Sequence, residues 1–408
     1  MNIARNQKGQ MIYLPNLSEQ EKEKLKFDRF YCPSCNEKML LKKGKLRTWY
    51  FSHLSCYQHD KQISDIKESM VHRNGKQALY QWILKSTSLV QLEYTRKNLR
   101  QRPDVYCIFQ NRSYAVEYQL AALDVNMLVK RTEKHIDSSD FPVWIIGKQA
   151  NDKHKKRRSH MYPYKYLQDA YHDLPVLYVF DPPFQMLEVL FPLATFSANK
   201  IFFTHSFVFP STSFFQALEQ NKFSFSTETI QKQWVKEKKV YRFSNKKNPS
   251  PLLQFLFSFF PKNQLSVPFL PPTVGVPTLF SFHLYSHCIE WQLWFQLLVL
   301  NSLNFGEQIS IRKIKSSWCQ MIQKGLIQVR PLPLIYRTNH WDALYAYMVY
   351  LHHLGLLHME NGYIQKKRIE KKYQRMEDIL EADRKISAHA FCYLKNQLKI
   401  MVQKKEKG

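Results

Sequence analysis

Along residues 64 to 147 the spacing of apolar positions switches back and forth between two periods. In "SDIKESMVHRNGKQALYQWILKS" (64–86), Val71, Ala78, Leu79 and Trp82 recur at helical intervals, which predicts an amphipathic helix. Short apolar runs follow at "LVQLEY" (89–94), "DVYCIF" (104–109) and "YAVEYQ" (114–119), and these predict three strands, the last two a hairpin about an Asn-Arg turn. Helical spacing returns from Asp124 to His135, and "PVWIIG" (142–147) reads as another strand. The predicted order is α-β-β-β-α-β. Further runs at 176–181, 186–191 and 200–209 predict a β-meander that extends the sheet. From Ser211 the pattern is mainly helical, interrupted by the proline-rich "VPFLPPTVGVP" (267–277). Residues 1–62 are turn-rich. The chain divides accordingly into an N-terminal module (1–62), an α/β domain with a mixed sheet flanked by helices (63–210) and a mainly helical, basic C-terminal domain (211–408).

With 408 residues, 44% of them hydrophobic and 14% aromatic, the chain is globular and long enough for two or three domains. Its formal net charge of +27 and pI near 9.7 favour a polyanionic partner, DNA above all. The run "KHKKRR" (153–158) reads either as a phosphate-contacting arm or as a solvated linker. The most apolar segment, "CIEWQLWFQLLVLNSLNF" (288–305), is broken by polar residues and falls short of the roughly 20 unbroken apolar residues of a membrane span. It reads as buried helix. The N-terminus lacks the apolar stretch of a secretory signal. Seven cysteines make no disulfide framework, and a reducing cytoplasm is the expected compartment.

Chemistry gathers in the α/β segment. Glu68, His72 and Lys76 are spaced i, i+4, i+8, so they form one stripe beside the apolar face of the first helix. Asp104 opens one hairpin strand; Glu117 and Gln119 lie on the next, two residues apart and therefore on one side of the sheet. An Asp and a Glu on neighbouring strands, with a helix Glu above, form an oxygen set suited to Mg²⁺ or Mn²⁺. Such a metal neutralises a scissile phosphate and acidifies an attacking water. Taken singly, each carboxylate has a structural reading, as a turn residue or a solvated edge.

The same elements resemble the PD-(D/E)XK nuclease core. More specifically, "ESMVHRNGK", "RPDV", "YAVEYQL" and "LVKRT" resemble the competence protein CoiA family. The resemblance implies a restriction-endonuclease-like fold and a cytoplasmic role in natural transformation, in processing or recombining incoming single-stranded DNA. It implies Asp104, Glu117 and Glu68 as metal ligands, with Gln119, His72 and Lys76 positioning water or phosphate. Gln119 stands where the wider superfamily has lysine, and an amide supplies no cation. Lys76 could stand in for that ammonium, or be a solvated helix lysine.

Near the N-terminus, Cys32 and Cys35 in "CPSC", then His53 and Cys56 in "FSHLSC", have the spacing of a small zinc ribbon. His59 is an alternative fourth ligand. "YFSH" takes the place of the family's "HFAH", so Tyr50 replaces one histidine. Two functions remain: a metal-dependent deoxyribonuclease, or a non-catalytic DNA-binding adaptor that keeps the nuclease fold and helps load a recombinase.

Overall fold

The computed structural model describes residues 3–14, 17–32, 36–43, 49–53, 70–94, 102–121, 123–148, 164–169, 174–219, 227–244, 248–260, 266–368 and 370–403. Near the N-terminus, strands β1 (Ile3–Asn6), β2 (Met11–Tyr13), β3 (Phe30–Tyr31), β4 (Lys38–Lys42) and β5 (Tyr50–His53) form one sheet in the order β2-β1-β3-β4-β5. Along β4, Met39 and Leu41 are buried while Lys38, Leu40 and Lys42 face solvent. Helix α1 (Glu19–Lys24) is held at its start by Ser18 and Glu21, which satisfy one another's backbone groups. The region expected to be turn-rich is thus a small sheet. Strands of two to five residues are too short to display an alternating period, which is why the sequence hides them.

The central region follows the predicted order. Helix α2 (Met70–Leu84) precedes β6 (Val90–Leu92), β7 (Val105–Phe109) and β8 (Arg112–Gln119). Helix α3 (Val125–Asp137) is capped by the Asp124 side chain and leads to β9 (Phe141–Gly147). After β10 (Gln168–Asp169) come β11 (Pro175–Asp181), β12 (Met186–Ser197) and β13 (Lys200–Val208). The resulting eight-stranded sheet runs β13-β12-β11-β9-β8-β7-β6, with β10 beside β11. Strand β9 pairs in parallel with both β8 and β11, while the flanking pairs are antiparallel. All seven residues of β11 are buried, as expected of a strand covered on both faces.

One face of the sheet carries Val116, Tyr118 and Val105 against Leu79, Trp82 and Ile83 of α2. The other carries Trp144, Leu177 and Val179 against Leu128 of α3. The approach of α2 depends on a missing side chain. A Cβ on Gly75 would stand 2.2 Å from the Tyr118 ring, and one on Gly147 would stand 2.2 Å from the Tyr118 hydroxyl. Two glycines therefore let this large ring lie between helix and sheet.

Beyond β13 lie α4 (Phe214–Leu218), α5 (Thr227–Phe243), α6 (Pro251–Phe259), α7 (Cys288–Phe295), α8 (Ile311–Gln323), α9 (His340–His353) and α10 (Met376–Gln403). They share their apolar core with the central sheet: Trp234, Leu253, Trp291 and Phe391 join the cluster that contains Tyr178 and Val189. Every residue of α7 is buried, and no described helix is long and apolar enough to cross a membrane. A small sheet, β14 (Gln308–Ser310), β15 (Leu357–Glu360) and β16 (Tyr363–Lys366), interrupts the helical pattern. The proline-rich loop is held from α5. Lys238 donates to Pro272 O at 2.5 Å and Arg242 to Leu270 O at 2.8 Å, while both cations pair with the buried Asp383 of α10.

Candidate functional site

The hairpin register sets the site. Val105 pairs with Val116 at the open end of the hairpin, and Asp104 comes just before this last pair. Asp104 Oδ2 accepts the backbone N–H of Tyr118 at 2.9 Å, which fixes the carboxylate at the end of the strand pair. From α2, His72 and Lys76 project to the same place, one helical turn apart. Lys76 Nζ lies 3.6 Å from Asp104 Oδ1, and His72 Nε2 lies 3.8 Å from Asp104 Oδ2. Because a carbonyl only accepts, the 2.6 Å contact of His72 Nε2 with Tyr118 O makes that nitrogen a donor. The imidazole thus orients the strand end through its Nε2 proton.

Lys76 is only 4% exposed, so of the two sequence readings it is not a solvated helix lysine. Its main partner is a residue that the sequence did not single out: Glu93, just beyond β6, whose Oε1 lies 2.6 Å from Nζ. Arg102 Nη1 meets the other Glu93 oxygen at 3.1 Å. Glu93 has a left-handed backbone, φ +52°, which is uncommon outside glycine and turns its side chain back toward α2. A lone Glu at the end of "LVQLE" gives no periodic signal.

Glu117 and Gln119 share the opposite face, toward α3. Glu117 is fully buried and both its oxygens are engaged: Oε1 by His135 Nε2 at 2.8 Å, and Oε2 by the Arg131 guanidinium. Arg131 belongs to the "LVKRT" segment, but its pairing with Glu117 is visible only in three dimensions. Burial disfavours the charge on Glu117, yet Arg131 and His135 outweigh it and hold the carboxyl below its ordinary range. Asp104 is shifted the other way. Burial first, and then the negative charge of Glu117, raise it to about 6 against the pull of Lys76 and His72.

The Glu117 charge acts on Asp104, and carboxylate oxygens are the donor type that Mg²⁺ and Mn²⁺ take. Glu68, the third expected ligand, lies outside the described residues, and among these no group of three or more His, Cys, Asp or Glu could hold a metal by itself. Of the zinc set, Cys35, Cys56 and the alternative His59 also lie outside. Cys32 is buried just after β3, with its N–H on Glu37 O at 2.7 Å, and His53 ends β5. The pairing of β3, β4 and β5 brings these two positions to the same end of the small sheet. The basic run 153–158 lies outside the described residues too.

No solved structure matches the chain. It is 35% identical over 132 residues to competence protein CoiA of Bacillus subtilis (strain 168), an alignment that spans 32% of this chain and 35% of that relative. Three domain models match in order: the N-terminal domain of competence protein CoiA over residues 14–58, the nuclease-like domain over 68–223 and the C-terminal domain over 230–380. The middle match contains every residue of the site just described, and together the three show that the chain belongs to the competence protein CoiA family.

Proposed function

We propose that the chain is a divalent-metal-dependent deoxyribonuclease of natural transformation that processes incoming single-stranded DNA in the cytoplasm or readies it for a recombinase. The observation that carries this reading is the convergence of Lys76 and His72 of α2 on Asp104, a carboxylate that also feels the charge of Glu117. Asp104, Glu117 and, from beyond the described residues, Glu68 would hold Mg²⁺ or Mn²⁺, which when bound would supply a Lewis acid and an acidified water. The chain's own residues do the rest. Lys76 sets a desolvated positive charge beside Asp104, where a phosphate oxygen gathers negative charge in the transition state. His72 clamps the Tyr118 carbonyl, and the Tyr118 amide clamps Asp104, so the strand end is positioned before substrate arrives. Gln119, on the face of Glu117, would orient water or phosphate by hydrogen bonds.

The 1–62 module would be closed by one structural zinc on Cys32, Cys35 and His53 with Cys56 or His59, and 63–210 and 211–408 would be the nuclease and helical units. The net charge of +27 would bring DNA in through its phosphates.

A second reading has its own support. With Gln119 at the lysine position and both Glu117 oxygens already engaged by Arg131 and His135, the chain would be a DNA-binding adaptor without catalysis. Incubating end-labelled single-stranded DNA with the purified chain and Mg²⁺, Mn²⁺ or chelator separates the two. Cleavage that needs metal and is lost in Asp104→Asn supports the nuclease; binding without cleavage in any metal leaves the adaptor.

A further inference from the structure

Glu117 is the least accessible carboxylate of the site, and its two partners differ in kind. His135 has 3% of its side chain exposed and lies beneath the sheet; Arg131 keeps 28% of its side chain exposed. The Arg131 guanidinium reaches Glu117 from the solvent side, 5.4 Å from the centre of the Trp144 ring. The carboxylate charges that act on it most strongly are those of Glu117 and Asp104. Arg131 therefore lies in the field of both proposed metal ligands.

Charge balance makes this placement consequential. Among the described residues, the carboxylates Asp104, Glu117 and Glu93 face the permanent cations Lys76, Arg102 and Arg131. A divalent cation arriving alone finds both oxygens of Glu117 taken. A phosphodiester arriving alone meets the carboxylates. Arriving together they suit the site, provided that one cation changes partner. The planar guanidinium fork engages carboxylate and phosphate with the same geometry, so Arg131 can exchange one for the other at little cost.

We propose that Arg131 is a substrate-phosphate ligand that occupies Glu117 until a nucleic-acid phosphate draws it away, so that divalent cation and DNA bind this site cooperatively. The inference rests on the nuclease reading above and deepens it. His135 stays behind as the fixed donor that keeps Glu117 oriented. Because binding linkage is reciprocal, DNA tightens the cation by the same factor as the cation tightens DNA. Metal-dependent chemistry is then withheld until a strand is in place.

The test is Mn²⁺ binding to the full chain, read from the electron paramagnetic resonance of free Mn²⁺. It is run with and without a single-stranded oligonucleotide whose phosphorothioate linkages resist cleavage. In the wild type the oligonucleotide should tighten the Asp104-dependent Mn²⁺ by about tenfold or more. Arg131→Gln should reach comparable affinity without DNA, and the oligonucleotide should then add less than about threefold. Arg131→Lys, which keeps the charge on one donor, should fall between the two and decides the matter if the Gln variant does not fold. The inference is overturned if neither variant binds Mn²⁺ more tightly than wild type, or if coupling to DNA survives in both. Asp104→Asn tells the two failures apart. If it leaves Mn²⁺ binding unchanged, the metal-dependent reading falls and this inference with it; if it abolishes binding while the Arg131 variants behave as wild type, only the role of Arg131 falls.

Discussion

Lys76 Nζ lies 2.6 Å from Glu93 Oε1, a part-buried pair joining α2 to the end of β6, and the same ammonium lies 3.6 Å from Asp104. Glu93 thereby aims a cation that the hairpin lacks at position 119. Lys76→Met should lower metal-dependent cleavage by about 10²-fold or more, since a preorganised charge in a dry site is lost. Glu93→Gln should act more mildly, through misplacement of Lys76, and should cost about 1–3 kcal/mol of stability for the charge it leaves unpaired. Cleavage assays beside thermal melts of both variants check this; equal activity in all three proteins would remove Lys76 from the mechanism.

The two hairpin carboxylates should respond to neutralisation with opposite signs. On sequence grounds, removing either charge leaves folding intact or slightly strengthens it. For Asp104 the structure predicts the same, because burial and Glu117 disfavour its charge: Asp104→Asn should melt higher than wild type near neutral pH in chelator. For Glu117 it does not. Glu117→Gln strips the counter-ion from Arg131 and a charged acceptor from His135, and should destabilise by about 1–3 kcal/mol. Melting temperatures that move the same way in both variants would contradict this pairing.

Gly75→Ala offers a test of the helix–sheet contact. Alanine is the better helix former by about 1 kcal/mol. Here, however, its Cβ would stand 2.2 Å from the Tyr118 ring, and overpacking should cost about 1–3 kcal/mol, so the variant melts lower. The peptide of Tyr118 carries the bonds to Asp104 and His72, so cleavage should fall with stability.

His283 supplies a pH dependence away from the site. It is buried, with Nε2 2.9 Å from Thr338 Oγ1; burial first and His340 second lower it from 6.5 to about 3. A histidine depressed in the folded state contributes fully above its unfolded value, and that contribution is lost as pH falls from 6.5 toward 3. By pH 4.5 the loss should reach about 3 kcal/mol. Urea melts of His283→Gln should show a flatter decline over this window than wild type; parallel declines would assign the acid sensitivity to other groups.

The family, the α/β class and the central order of elements were legible in the sequence, because local periodicity repeats over enough residues there. Leu79 and Trp82 mark the packed face of α2, whereas Val71, expected beside them, is exposed. The hairpin forms where two apolar runs meet, but its turn is Gln110–Asn111 and not the expected Asn-Arg, since Arg112 already pairs with Phe109. Asp104, Glu117, His72 and Lys76 could be named as candidates, since residue type and spacing are properties of the chain itself. The partners of those residues could not. Glu93 reaches Lys76 from 17 positions away, and Arg131 and His135 reach Glu117 from 14 and 18. Those contacts depend on how two helices dock on opposite faces of a sheet, which no periodic pattern encodes. The N-terminal sheet was hidden for a different reason: its strands are stabilised by pairing with one another and are too short for a local period to show. Which groups the chain offers for chemistry is thus written in its sequence; which charge neutralises which is decided by packing, because burial and distance set the strength of every ion pair.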